Sequence, residues 1–125
     1  MAAAETTDYP LRVCGFVDNV YDYMHAADVL VSKPGGLTSS EALTAELPMV
    51  LVKPLPGQEE RNTRYLVNKR AAIRAQSERH LAQAVEQLLT DDARRARLRA
   101  RMHALRRPNA ARAVAERIAE LLRRR

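Results

Sequence analysis

The chain has 125 residues, enough for one domain, and none of its apolar runs approaches the roughly 20 residues that cross a bilayer. Its single cysteine, Cys14, excludes an intrachain disulfide and fits a reducing cytosol. The net charge of +6 is unevenly spread, because residues 94–125 carry twelve arginines and two glutamates while the rest carries nine basic and thirteen acidic residues. This asymmetry indicates either a polyanionic partner, membrane phospholipid or nucleic acid, or a solvated helix face.

The predicted elements alternate between strands and helices over residues 11–74. Residues 1–10 show no period and are predicted to be disordered. Apolar, β-branched runs predict strands over 11–16, 28–32, 49–52 and 71–74. Apolar residues spaced three and four apart predict helices over 17–27, 38–46 and 59–69. The alternation predicts a parallel sheet, with Cys14 and Phe16 buried in its first strand.

Beyond residue 77 the pattern is helical. Helices are predicted to start at Glu78, at Asp91 or Asp92, and at Pro108. The chain is thus divided into a disordered segment, 1–10, and an α/β domain, 11–125, in which residues 77–125 form a helical, arginine-rich tail. The three histidines lack ligand-like spacing, so no metal site is predicted.

A glycine turn connects the second predicted strand to the next helix. Pro34 cannot join a sheet ladder, and Gly35 and Gly36 allow positive φ and close approach of a ligand to the backbone. Thr38 and Glu41 have the spacing of a capping box at a helix start. Exposed N–H groups at such a start bind anions, and diphosphate is the natural ligand. The alternative is a capped turn that binds nothing.

A second polar loop, residues 53–62, follows the next predicted strand. In an open α/β sheet, consecutive parallel strands deliver their loops to the same edge, where ligands bind. We therefore expect the turn at residues 35–41 and the turn at residues 57–62 to lie side by side.

Several short motifs occur in order along residues 11–75. They are Gly15-Phe16-Val17, Ala26-Ala27-Asp28, Lys33-Pro34-Gly35-Gly36-Leu37-Thr38, Ser40-Glu41-Ala42, Leu47-Pro48 and Pro56-Gly57-Gln58-Glu59-Glu60-Arg61-Asn62. Together they resemble the GT-B glycosyltransferase family of monogalactosyldiacylglycerol synthases and bacterial diacylglycerol glucosyltransferases. The arginine-rich remainder is similar to that family only in being helical.

The resemblance implies a partial Rossmann-like parallel sheet, which is the C-terminal half of a GT-B fold. It also implies that this half binds a UDP-sugar for hexosyl transfer to a diacylglycerol-like lipid, with inversion at the anomeric carbon. In relatives the glycine turn holds the phosphates, the glutamate the ribose and the Gln-Glu pair the hexose, while the end of the first strand touches uracil. The implied donor-binding residues are Val17, Gly35, Gly36, Leu37, Thr38, Glu41, Gln58, Glu59 and Asn62. No catalytic residue, metal or cofactor is expected here, since the base usually comes from another domain and backbone donors can neutralise the diphosphate.

The resemblance also implies parts that this sequence lacks. Family members carry an acceptor-binding domain before this region and two further β-α units in the donor domain. The predicted first strand would then lack its neighbour. We expect a donor-domain fragment or subunit, inactive alone, that works with an N-terminal acceptor domain, a partner subunit or a further copy of itself.

Two other functions remain open. A UDP-sugar 2-epimerase shares the fold and a Gly-Gly loop, but would place Gln and Glu directly after it, where this chain has residues 37–41. The second is a non-catalytic module, which either assembles with a partner or binds anionic membranes through its arginines. Nucleic acid fits less well, because residues 94–125 contain no aromatic residue. The expected location is the cytoplasm, at the inner face of the membrane if the arginines bind lipid.

Overall fold

A computed structural model describes residues 9–125, and the predicted disorder of residues 1–8 lies outside them. The helices are α1 (Val20–Ala26), α2 (Gly36–Ala45), α3 (Gln58–Asn68), α4 (Glu78–Thr90), α5 (Asp92–Leu105) and α6 (Ala110–Arg123). The strands are β1 (Leu30–Ser32), β2 (Met49–Leu51) and β3 (Ile73–Arg74). The predicted α/β fold with a parallel sheet and a helical tail is confirmed.

The strands of the described part pair in parallel in the order β1-β2-β3. Val31 lies opposite Val50, and Val50 opposite Ile73. Because the strands run in one direction, the chain leaves all of them at the same side of the sheet. We call this side, formed by the residues that follow Ser32, Leu51 and Arg74, the carboxyl edge. The N-termini of α2, α3 and α4 lie at this edge.

The central strand β2 is buried on both faces, which explains why its sequence is a continuous apolar run. Met49 and Leu51 belong to a cluster with residues of α2, α3 and α5, namely Ala42, Leu66 and Met102. Val50 points to the other face and joins residues of α4 and α5, namely Ala84, Leu88 and Leu98. Helix α5 therefore contributes to both clusters and ties the tail to the sheet.

The strand predicted over residues 11–16 is wrong. These residues form no strand among those described, and Phe16 is 99% exposed, so the prediction that it is buried is wrong as well. Cys14 is also exposed rather than buried. The physical reason is that an extended segment needs a neighbouring strand for its backbone hydrogen bonds, and the described sheet starts at β1.

The C-terminus of α2 is fastened to α5. Glu46 ends α2 in a left-handed conformation, with φ of 53°. Its carboxylate lies 2.5 Å from His103 Nδ1 and 3.2 Å from Arg106 of the tail. These contacts hold the C-terminal end of α5 against the end of α2.

The tail helices begin at polar residues. Asp91 caps α5 by accepting the Arg94 N–H at 2.9 Å, as the sequence predicts. Helix α6 begins at Ala110, two residues after the predicted start at Pro108. It leaves its large apolar residues exposed: Val114, Ile118, Leu121 and Leu122.

Within residues 9–125, none of the helices combines the length and apolar character that crossing a bilayer requires.

Replacement of Leu51 tests the central role of β2. Leu51 is fully buried, so Leu51→Ala should lower the free energy of unfolding by about 2 to 5 kcal/mol. Leu121, half exposed on α6, is a matched control, and Leu121→Ala should cost only about 0.5 kcal/mol or less. Urea unfolding followed by circular dichroism measures both, and equal losses would contradict this description of the core.

Candidate functional site

The turn between β1 and α2 leaves backbone N–H groups free at the carboxyl edge. Pro34 is buried, and the Gly35 N–H donates to the Lys33 carbonyl at 2.9 Å. The first helical bond runs from the Ser39 N–H to the Gly35 carbonyl, also at 2.9 Å. The N–H groups of residues 36, 37 and 38 therefore precede the helical ladder and have no acceptor within α2. Such a helix start attracts anions.

The predicted capping box is wrong. Helix α2 starts at Gly36, with Gly35 as its N-cap, so Thr38 and Glu41 already lie inside the helix. No side chain of residues 9–125 makes a capping bond at this end. The glycines also differ from expectation: Gly35 has φ of −63° and ψ of 145°, and the positive φ occurs instead at Gly57, at 94°. The helix start is thus open for a ligand.

The second turn leads into α3 beside the first. Gly57 precedes α3, and the Glu59 carboxylate accepts the Leu55 N–H at 3.1 Å, which braces the loop. Asn62, on the next turn of α3, donates from Nδ2 to the Pro34 carbonyl at 2.9 Å. This bond joins the two turns directly. The prediction that they lie side by side on one edge is confirmed.

The other predicted residues surround this junction to different degrees. Leu37, Glu41 and Gln58 are exposed at the starts of α2 and α3, and Thr38 is half-buried. Val17 lies in the irregular segment before α1, which packs against α2. Among the described residues, no hydrogen bond links Val17 to either turn.

Ser39 lies beside this junction, although the sequence analysis did not select it. It is buried, and its hydroxyl has no hydrogen-bond partner among residues 9–125. It lines an open cleft of about 200 Å³ between α2 and α3, together with Gly36, Asn62 and Tyr65. Its spacing of three from the buried Ala42 is the sequence signal that places it on the inner face of α2.

An ion pair between α3 and β3 supports the second turn. Glu60, in the first turn of α3, lies 2.6 Å from Arg74 at the end of β3. Both side chains are only about a third exposed, at 31% and 37%. The pair connects α3 to β3 and helps fix the position from which Gln58 and Glu59 project.

Removal of the Asn62 amide should loosen the junction of the turns. Asn62→Ala leaves the Pro34 carbonyl without its donor, and we expect a loss of about 1 to 2 kcal/mol in the free energy of unfolding. Amide hydrogen exchange at Gly35 and Ser39, whose N–H groups are hydrogen-bonded in this turn, should speed up. Asn68→Ala, at the exposed end of α3, is the control and should leave these amides unchanged. Identical exchange in the two variants would contradict the bracing role.

Comparisons with known proteins place this sequence among glycosyltransferases. The model of the glycosyltransferase family 28 C-terminal domain matches residues 3–120. The processive diacylglycerol beta-glucosyltransferase of Bacillus thuringiensis (strain Al Hakam) is 34% identical over 116 residues, which are 93% of this chain and 30% of that protein. Enzymes with the same name from Bacillus cereus strains AH820 and AH187 are 35% and 36% identical, over 86% and 81% of this chain and 28% and 26% of theirs.

This chain therefore spans less than a third of the length of these relatives. The family match also extends beyond residue 75, where the recognisable motifs end. Since it covers nearly the whole sequence, the chain belongs to the family of glycosyltransferase family 28 C-terminal domains.

Proposed function

We propose that this chain is the donor-binding part of a glycosyltransferase that takes a UDP-sugar and passes its hexosyl group to a diacylglycerol-like lipid. The observation that carries the proposal is the junction of two turns at the carboxyl edge, joined by the Asn62–Pro34 hydrogen bond. One turn offers free backbone donors for phosphate, and the other offers amide and carboxylate side chains for sugar hydroxyls.

The diphosphate of the donor would lie at the start of α2. The N–H groups of Gly36, Leu37 and Thr38 point out of the helix end, and the helix dipole adds roughly half a positive charge there. When the acceptor hydroxyl attacks the anomeric carbon, the bond from that carbon to the diphosphate oxygen breaks. The negative charge left on UDP is then stabilised by the same donors. The hydroxyl proton goes to a base that we place on another part of the enzyme.

The ribose and the hexose of the donor would contact polar side chains of α2 and α3. Glu41 is exposed on α2, one turn beyond the phosphate donors, where its two oxygens suit the two hydroxyls of a ribose. Gln58 is exposed at the start of α3 and suits hexose hydroxyls. Glu59 uses one oxygen to brace Leu55, which leaves its second oxygen for the hexose.

The acceptor is proposed from the relatives, whose names specify diacylglycerol. Membership of a glycosyltransferase family favours this function over a 2-epimerase. A purely non-catalytic module would have no use for the uncapped start of α2. The nucleotide-binding experiments described next therefore distinguish such a module from a donor-binding domain.

Replacement of Gly36 tests the phosphate site. A proline at the first helical position keeps the helix but removes one N–H, and the extended conformation of Gly35, with ψ of 145°, is compatible with a following proline. We expect Gly36→Pro to weaken UDP binding roughly tenfold, the value of one hydrogen bond to a charged group. Calorimetry with UDP measures the change, and thermal unfolding checks that the fold is kept.

Gly36→Ala is the matched control, because an added Cβ meets no atom within 4 Å and the N–H is retained. The alanine variant should bind UDP more tightly than the proline variant. Wild-type affinity in Gly36→Pro would rule out phosphate binding at this helix start.

Replacement of Glu41 tests the ribose contact. The wild-type chain should prefer UDP over 2′-deoxy-UDP, and Glu41→Gln should reduce that preference by roughly tenfold. Glu86→Gln, on the exposed face of α4, is the control and should retain the full preference. If Glu41→Gln weakens both nucleotides equally, Glu41 does not contact the 2′-hydroxyl of the ribose.

A further inference from the structure

A cleft beside α5 is lined mainly by arginines. It has a volume of about 620 Å³. Its charged lining is Arg70, Asp91, Arg94, Arg97 and Arg101, and its apolar wall includes the buried Leu98. Residues 94, 97 and 101 follow one another at helical spacings of three and four, which place them on one face of α5. We call this cavity the arginine cleft.

The cleft arginines lack acidic partners. Elsewhere on the tail, Arg95 pairs with Asp92 at 2.5 Å and Arg106 with Glu46 at 3.2 Å. In the described part of the chain, none of the four cleft arginines forms a salt bridge. Their four positive charges therefore share the cavity with a single carboxylate, that of Asp91.

The polar neighbours of Arg94 do not neutralise it. Its guanidinium donates to the neutral amide oxygen of Gln87 at 2.5 Å. Asp91, the one acid of the cleft, is engaged with the backbone, because its Oδ1 accepts the Arg94 N–H at 2.9 Å. The cleft thus holds four arginines and one aspartate, an excess of three positive charges.

Arg70 occupies an unusual backbone position. Its φ is 58°, in the left-handed region that favours glycine, and its N–H donates to the Val67 carbonyl at 2.9 Å, closing α3. The turn itself does not require an arginine side chain. Arg70 nevertheless lines the cleft together with residues of α5.

The arginine cleft lies far from the proposed donor site. Helix α3 starts at the carboxyl edge and has 11 residues, so Arg70 beyond its end is displaced from that edge by roughly 16 Å. Helix α4 likewise starts at the carboxyl edge and ends at Thr90, next to Asp91. The cleft is therefore at the opposite edge of the sheet, and donor binding does not account for it.

We propose that the arginine cleft binds a phosphate ester, either the headgroup of an anionic phospholipid or a soluble phosphate ester. Guanidinium groups form paired hydrogen bonds with phosphate oxygens, and four of them lining one cavity suit a phosphate group, which is singly charged in a phosphodiester and close to doubly charged in a monoester. The buried Leu98 keeps water from one wall and strengthens these interactions. Nucleic acid is disfavoured because the tail offers no aromatic platform for bases.

The test compares two double variants of equal charge. Arg97→Gln with Arg101→Gln removes two cleft arginines, whereas Arg99→Gln with Arg107→Gln removes two that do not line it. Both reduce long-range attraction equally, and glutamine preserves helix propensity. The probes are phosphatidylcholine vesicles with and without phosphatidylglycerol, assayed by flotation, and glycerol phosphate, assayed by calorimetry.

We expect the cleft variant to lose roughly tenfold more affinity than the control variant. If that difference is seen only with phosphatidylglycerol vesicles, the ligand is a lipid headgroup. If it is seen with glycerol phosphate as well, the site accepts a soluble ester. Equal losses in the two variants, absence of binding to both probes, or cleft-dependent binding of an RNA oligonucleotide alone would overturn the proposal.

Arg70→Gly is a further variant that distinguishes a loss of binding from a loss of folding. Glycine adopts φ of 58° readily, so this variant should unfold no more easily than the wild type. It should nevertheless bind the same probe roughly tenfold more weakly. Unchanged affinity in this variant would show that Arg70 is not part of the binding site. Unchanged affinity here together with equal losses in the two double variants would reject the whole site.

Discussion

The parallel pairing of β2 with its two neighbours is the constraint on which the rest of the structure depends. It aligns β1, β2 and β3 in one direction, so each following helix starts at the same edge. Burial of β2 on both faces fixes this arrangement, because its side chains form the centre of both core clusters. The candidate site is a consequence of that alignment, since its two turns come from consecutive strands.

The candidate site combines rigidity with unused hydrogen-bonding capacity. Asn62 joins the turns, Glu59 braces its own loop, and the Arg74–Glu60 pair supports α3. The start of α2 has no comparable partner among the described residues, and the buried Ser39 hydroxyl beside it is also unpaired. Buried polar groups are normally hydrogen-bonded, so an unpaired Ser39 hydroxyl beside free backbone donors is typical of a site that takes a ligand.

The arginines of the tail fall into two structural groups. Arg95 and Arg106 are engaged with carboxylates and hold the tail in place. Arg94, Arg97 and Arg101 lie on another face of α5 and have no such partner in the described part of the chain. A high arginine content alone could not separate these groups, because the difference lies in which face of α5 meets the rest of the protein.

Much of the fold and part of the site could be predicted from the sequence. The apolar run of β2, the break at Pro34 and the glycine before Gln58 predict a strand, a turn and a helix start from neighbouring residues alone. The same local patterns carry the resemblance that the family match confirms. The strand at residues 11–16 failed because an apolar run indicates a strand only where another strand is available for pairing.

The sequence by itself therefore determined the alternation of elements, the parallel sheet, the family and the identity of the two turns, because these depend on residues close together along the chain. Only the tertiary structure decided that α2 starts uncapped at Gly36, that Asn62 binds Pro34, and that Arg70 and three residues of α5 line one cleft. The last two features join residues more than 20 positions apart, such as the 28 between Pro34 and Asn62. Packing of the helices against the sheet sets such contacts, and local propensity does not.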